Sequence, residues 1–166
     1  MYRSSGISFR TGGRRAPLPG MCRSRMKTLD PKSADTTALA YMGDAVYEVY
    51  IRKFVVDMGL VHAQEMNREA VSFVRAEAQA RAAKQFLAGD FLTEEERALL
   101  KRARNRTNTS HARGSGYYEY KLATGLEALI GWLYLKGDRE RTEAVCAEAM
   151  RITREARDGA GKEQHE

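Results

Sequence analysis

The sequence predicts an all-α domain, and three observations predict it. Apolar residues recur at helical spacing through most of the chain, no run of useful length alternates apolar with polar, and prolines are absent after Pro31. At 166 residues the chain is long enough for one good core and too short for two ordinary domains. With 43% hydrophobic and 30% charged residues it reads as globular, and no apolar run approaches the roughly 18 residues needed to cross a bilayer, so no membrane partner is expected. Cys22 and Cys146 lie far apart and point to neither a disulfide framework nor a zinc site, which fits a reducing cytoplasm.

The net charge of +6 is unevenly placed. Residues 1–29 hold seven of the 28 Lys and Arg and no acid, which leaves 21 bases against 22 acids in the remainder. Residues 1–30 are therefore read as a disordered basic extension rich in Gly, Ser and Arg, either a true extension or an overlong start with Met21 or Met26 as the first residue. The folded domain is placed at 31–158, followed by a short disordered tail at 159–166.

Helices are expected near 35–58, 62–88 with an interruption around Met66–Arg68, 93–104, 118–136 and 138–157. The segments "DMGL" at 57–60 and "LAGD" at 87–90 offer glycine C-caps. "TEEE", Thr93–Glu96, is a capping box with acids at the positive end of the next helix.

Two of these helices carry an isolated acid. Asp44 is the only charged residue between Ala38 and Tyr47 of "TALAYMGDAVYEVYIRKF", and Glu127 is the only one between Leu122 and Leu135 of "KLATGLEALIGWLYLKG". The first segment reads as a mostly buried helix with Asp44 drawn into it, and burying an unpaired carboxylate is costly. Convergence of the two acids on a hydrated Mg²⁺ removes that cost; pairing of each with an Arg or Lys, or capping of a neighbouring helix, does so equally. Glu48, one turn after Asp44, faces either the same site or Arg52, with Arg52 the preferred partner. Between the two helices, "LKRARNRTNTSHARGSGYY" places Lys101, Arg102, Arg104, Arg106 and Arg113 before any acid. Basic residues in a last helical turn complement the dipole, but Arg106 and Arg113 lie beyond it, and phosphate contact accounts for them better.

"ALAYMGDAVYEVY" and "YKLATGLEALIGWLYL" resemble the two signature segments of the ribonuclease III endonuclease domain, over about Thr37–Ala147, and the chain is most similar to its short Mini-ribonuclease III branch. The order of the motifs, the intervening "FLTEEERALLKRARN" and the lack of room for a double-stranded-RNA-binding domain belong to the same resemblance. It implies a homodimeric all-α hydrolase that cuts double-stranded RNA with Mg²⁺ and, in that branch, matures the large-subunit (23S) ribosomal RNA precursor. It implies Asp44 and Glu127 as catalytic metal ligands. In the family pattern E-x-x-E-F-L-G-D, Thr37 and Ala40 stand where glutamates do; in D-x-x-E-A, Thr124 stands where an aspartate does. The short branch resembles this chain at those departures. Tyr41 falls at the aromatic position that, in the resembling proteins, enters a socket on the partner subunit, although core packing accounts for a tyrosine there equally well. A catalytically silent RNA-binding homologue and a helical ribosome-assembly factor are the alternatives.

Overall fold

In the computed structural model, which describes residues 30, 32–106 and 115–162, six helices follow in chain order. They are α1 (Thr36–Asp57), α2 (Ala63–Val74), α3 (Ala76–Ala88), α4 (Glu94–Asn105), α5 (Ser115–Lys136) and α6 (Arg139–Lys162). No strand occurs among the described residues, as expected of an all-α chain. None of these helices is long and apolar enough to cross a membrane.

α5 is the central element and packs against α1, α3, α4 and α6. Leu122, Leu126, Leu129, Ile130 and Leu133 are each no more than 1% exposed. Burying each such side chain stabilises the fold by roughly 1.5–3 kcal/mol before entropy is counted. A helix surrounded in this way has apolar residues on nearly every face, which is why its sequence shows almost no polar stripe.

The ends follow local chemistry. Asp35 caps α1 by accepting from the backbone N–H of Thr37 (2.8 Å) and Ala38 (3.2 Å). Gly59 closes α1 at φ +75°, the left-handed conformation expected of the "DMGL" segment. Thr93 and Glu96 form the expected capping box at the start of α4. Glu96, only 3% exposed, also binds Arg141 of α6, with Nε to Oε1 at 2.8 Å and a second guanidinium nitrogen to Oε2 at 2.8 Å. The α4 capping box is thus tied to the first turn of α6 through a bidentate pair.

Two expectations need correction. The break in the 62–88 region falls at Arg75, whose ψ of 142° leaves the helical range, and not at Met66–Arg68. No glycine or proline marks it. The carbonyl of Val74 accepts instead from the side-chain Nε2 of Gln79 at 3.1 Å. Gly89 is the C-cap of α3, as "LAGD" predicts, with its N–H donating to the Gln85 carbonyl, although its backbone is extended at φ −98° and ψ −171° and not left-handed. Arg97 reaches back from α4 to the carbonyls of Leu87 (2.6 Å) and Gly89 (2.5 Å), doing the work of a cap from a distance. α6 runs on to Lys162, past the expected end at 157.

Candidate active site

The two isolated acids meet because two glycines let their helices touch. A Cβ on Gly43 would lie 1.7 Å from the carbonyl oxygen of Glu127, and one on Gly131 would lie 2.0 Å from that of Leu39. No side chain fits at either position, so α1 and α5 cross backbone to backbone. Asp44 follows Gly43 directly, and Glu127 is the residue that Gly43 touches. The crossing therefore sets both carboxylates on the wall of one cavity of about 360 Å³, shared by the first half of α1, the end of α4 and the first half of α5.

Their electrostatics follow from that placement. Glu127 is half-buried, and its carboxyl is pushed up to about 7, first by burial and then by the negative charge of Asp44, against a hydrogen bond from Gln79. Asp44 is exposed as a residue, which corrects the expectation that it is drawn into a buried helix. The cavity wall still desolvates its carboxyl enough to raise its pKa, and Glu48 adds to the effect. Neither acid is ion-paired among the described residues. Glu48 instead binds Arg52 at 2.8 Å, as expected.

The donor set suits a hard cation. Two carboxylates share the cavity with the hydroxyl-bearing Thr36, Thr37 and Thr124, and neither a thiol nor an imidazole lines it. Oxygen donors of this kind match Mg²⁺, which keeps several waters and needs few protein ligands. The protein shell is sparse, since no group of three or more His, Cys, Asp or Glu converges among the described residues.

The basic segment divides. Lys101 is exposed on α4. Among the described residues, Arg104 bonds its neighbour Asn105 at 3.0 Å and no other side chain. Arg102 donates to the carbonyls of Lys32 and Ala34. Arg106 binds Asp35 at 2.7 Å and the Thr36 hydroxyl at 3.2 Å, while also lining the cavity. Two of the guanidinium groups expected to meet phosphate thus hold the segment leading into α1, and Arg113 lies outside the described residues. Tyr41 is 83% exposed at the cavity rim, which removes packing in its own core as its explanation.

Residue-level reading of the sequence missed Lys121, Tyr117, Tyr120 and Gln79. The first three line the cavity, with the Lys121 ammonium 4.6 Å from the centre of the Tyr117 ring. Lys121, Thr124 and Glu127 are spaced by three along α5, a periodicity that could have found the lysine. Gln79 had no such signal, because it reaches Glu127 from another helix.

Residues 37–138 match the Ribonuclease III domain family. The chain is 42% identical over 116 residues to Mini-ribonuclease 3 of Enterococcus faecalis, an alignment that covers 70% of this chain and 88% of that one. With Mini-ribonuclease 3 of a Thermoanaerobacter species it shares 36% identity over 123 residues, 74% of this chain and 85% of the other. A crystal structure of a Fusobacterium nucleatum protein superimposes with a TM-score of 0.62 at 30% identity, covering 74% of this chain and 96% of that one.

Proposed function

This chain belongs to the ribonuclease III family, in its Mini-ribonuclease III branch, and is an endoribonuclease; we propose that it cuts double-stranded RNA with Mg²⁺ held by Asp44 and Glu127. We further propose that it acts as a cytoplasmic homodimer in the maturation of the 23S ribosomal RNA precursor. The observation that carries the reading is the meeting of two unpaired carboxylates in one cavity at the α1–α5 glycine crossing. Two like charges brought together without a counter-cation raise each other's proton affinity, and a divalent cation is the partner that stabilises both in ionised form.

Mg²⁺, when bound, neutralises charge on the phosphoryl oxygens and lowers the pKa of an attacking water. The protein's own residues do the rest. Asp44 and Glu127 supply carboxylate oxygens from two helices whose spacing the glycines fix. Thr124, one turn before Glu127, has a hydroxyl able to orient a water by hydrogen bonding. Lys121 and Arg106 bring positive charge to the rim, where RNA phosphates would enter. Arg104 and Lys101 extend that charge along α4 and suit the phosphate-and-shape recognition that A-form duplexes require. A two-fold dimer would set two such cavities at a fixed separation, as cutting both strands requires.

The test is Asp44→Asn, which keeps shape and loses charge. Cleavage of double-stranded RNA in Mg²⁺ is expected to fall by about 100-fold or more, the upper end of what even a change behind the ligands costs. Folding and RNA binding should persist. Near wild-type turnover would reject Asp44 as a ligand, and a wild-type protein that binds duplex RNA without cutting it would reject the hydrolytic reading for this substrate.

A further inference from the structure

Two basic residues line the cavity that holds Asp44 and Glu127, and they differ in what they are free to do. Arg106 is committed, since it binds the Asp35 carboxylate at 2.7 Å and the Thr36 hydroxyl at 3.2 Å. Lys121 is half-buried on α5 and forms no ion pair among the described residues, although two carboxylates share its cavity. Its ammonium lies instead 4.6 Å from the centre of the Tyr117 ring, within the range of attraction to the ring's negative face.

The local sequence explains that placement. The residues three and four positions from Lys121 along α5 are Tyr117, Tyr118, Thr124 and Gly125, so no acid stands one turn away from it. Glu127 is six residues on, about 9 Å along the helix axis, and a long helical side chain leans towards the N-terminus, away from Glu127 and onto Tyr117. An acid at position 117 would have neutralised the ammonium, and an aliphatic residue would have left it to fold onto the carboxylates. Over a ring it keeps its charge, and its flexible four-carbon stem lets it move onto an anion that enters the cavity.

That charge has a chemical use. Hydrolysis of a phosphodiester joins the oxygen of a water to phosphorus and breaks the bond from phosphorus to one ribose oxygen. The departing oxygen gains a proton, and the water's other proton stays on the new phosphate or passes to solvent. In between, negative charge builds on the phosphoryl oxygens, and a cation already in place there lowers the barrier. We propose that Lys121 is a catalytic residue of this site, its ammonium contacting a non-bridging oxygen of the scissile phosphate, and that Tyr117 is its positioning residue.

The inference rests on the nuclease reading above, and the experiment separates the two. Lys121→Met keeps the length and removes the charge. Single-turnover cleavage at saturating duplex RNA and Mg²⁺ is expected to slow by about 100-fold, the scale of losing one donor to developing charge. Two further measurements stand apart from activity. Duplex RNA binding without metal should weaken modestly, with the slope of log affinity against log salt reduced by about 1, as for one lost phosphate contact. The rise in melting temperature that Mg²⁺ alone produces should keep its wild-type size, because the ammonium pairs with neither carboxylate. Tyr117→Leu should slow the same step by about 10-fold, within what a desolvated cation–π contact supplies, and Tyr117→Phe, which keeps the ring face, by much less. Added to Lys121→Met, Tyr117→Leu should cost nothing further. If Lys121→Met weakens binding but leaves the saturated rate at the wild-type value, Lys121 is an outer phosphate contact and the proposal fails. A larger Mg²⁺-induced rise in melting temperature also overturns it, since the ammonium would then have been neutralising the acids. Equal losses for Tyr117→Phe and Tyr117→Leu overturn the role given to the ring. Should the methionine variant not fold, Lys121→Gln reads the same quantities against the same outcomes. A wild type that leaves duplex RNA uncut in Mg²⁺ overturns the nuclease reading and the proposal together, whereas a wild type matched in rate by Lys121→Met overturns the proposal alone.

Discussion

Glu127 is where stability and activity pull apart. Its carboxyl rises from the usual 4.5 to about 7 when no cation is present, so the metal-free folded state binds its proton more tightly than the unfolded chain does. For a raised acid the sign is that stability falls as pH climbs from the unfolded value through the folded one, here between about 4.5 and 7. Glu127→Gln should remove that slope. At pH 8 and without metal, the variant is expected to melt at or above the wild-type temperature, since the ionised carboxylate costs the wild type up to about 3 kcal/mol there. Added Mg²⁺ should then stabilise wild type more than the variant, while cleavage by the variant is impaired. Thermal melts across pH, with and without Mg²⁺, check all three. A large drop in metal-free melting temperature would mean that Glu127 holds a buried cation and would remove it from the metal site.

At the scale of elements, two basic groups with different jobs share the end of α4, and the split predicts different phenotypes. Arg106 and Arg102 clamp the segment entering α1, so Arg106→Gln should lower the melting temperature only slightly, because its pair with Asp35 is solvent-exposed and screened, and should weaken RNA binding as well. Lys101→Gln with Arg104→Gln should leave stability unchanged and reduce the slope of log affinity against log salt by about 1–2, as lost phosphate contacts do. An unaltered slope would take these two residues out of the RNA interface. The same elements mark how much was legible in advance. The capping box at Thr93, the start of α1 near residue 35 and the two acid-bearing helices are readable because their signals are local in sequence. The α2–α3 break was not, because Arg75 has no breaker of its own and the Val74 carbonyl is satisfied by a glutamine in the next helix. The exposure of Asp44 was also hidden: the apolar run around it implies burial only if every apolar residue of α1 is covered by the same chain, and Tyr41 and Val49 are not.

That uncovered face is a property of the whole molecule. Along α1, Tyr41 (83% exposed), Val49 (66%) and Val56 (62%) point away from the core that Leu39, Val46, Ile51 and Val55 build on the opposite side. Single exposed apolar residues are ordinary, but three lie on the helix that also carries Asp44, and Tyr41 lines the cavity itself, so a second copy docked on this helix would set two cavities side by side as a duplex-cutting pair requires. If the proposed homodimer uses this face, Tyr41→Arg should place two like charges near one two-fold axis and remove an aromatic anchor, a change expected to weaken association by at least about 2 kcal/mol, or roughly 30-fold in Kd. Because Tyr41 makes little contact with its own core, the helical content seen by circular dichroism should not change. Sedimentation velocity over a range of concentrations reads the shift from dimer to monomer directly. Cleavage should fall at low protein concentration and recover as concentration rises, since each cavity keeps its own Asp44 and Glu127. A variant that sediments as wild type at every concentration would place the dimer contact elsewhere on the surface, and a wild type that is monomeric at all concentrations would remove the two-fold geometry from the proposed mechanism.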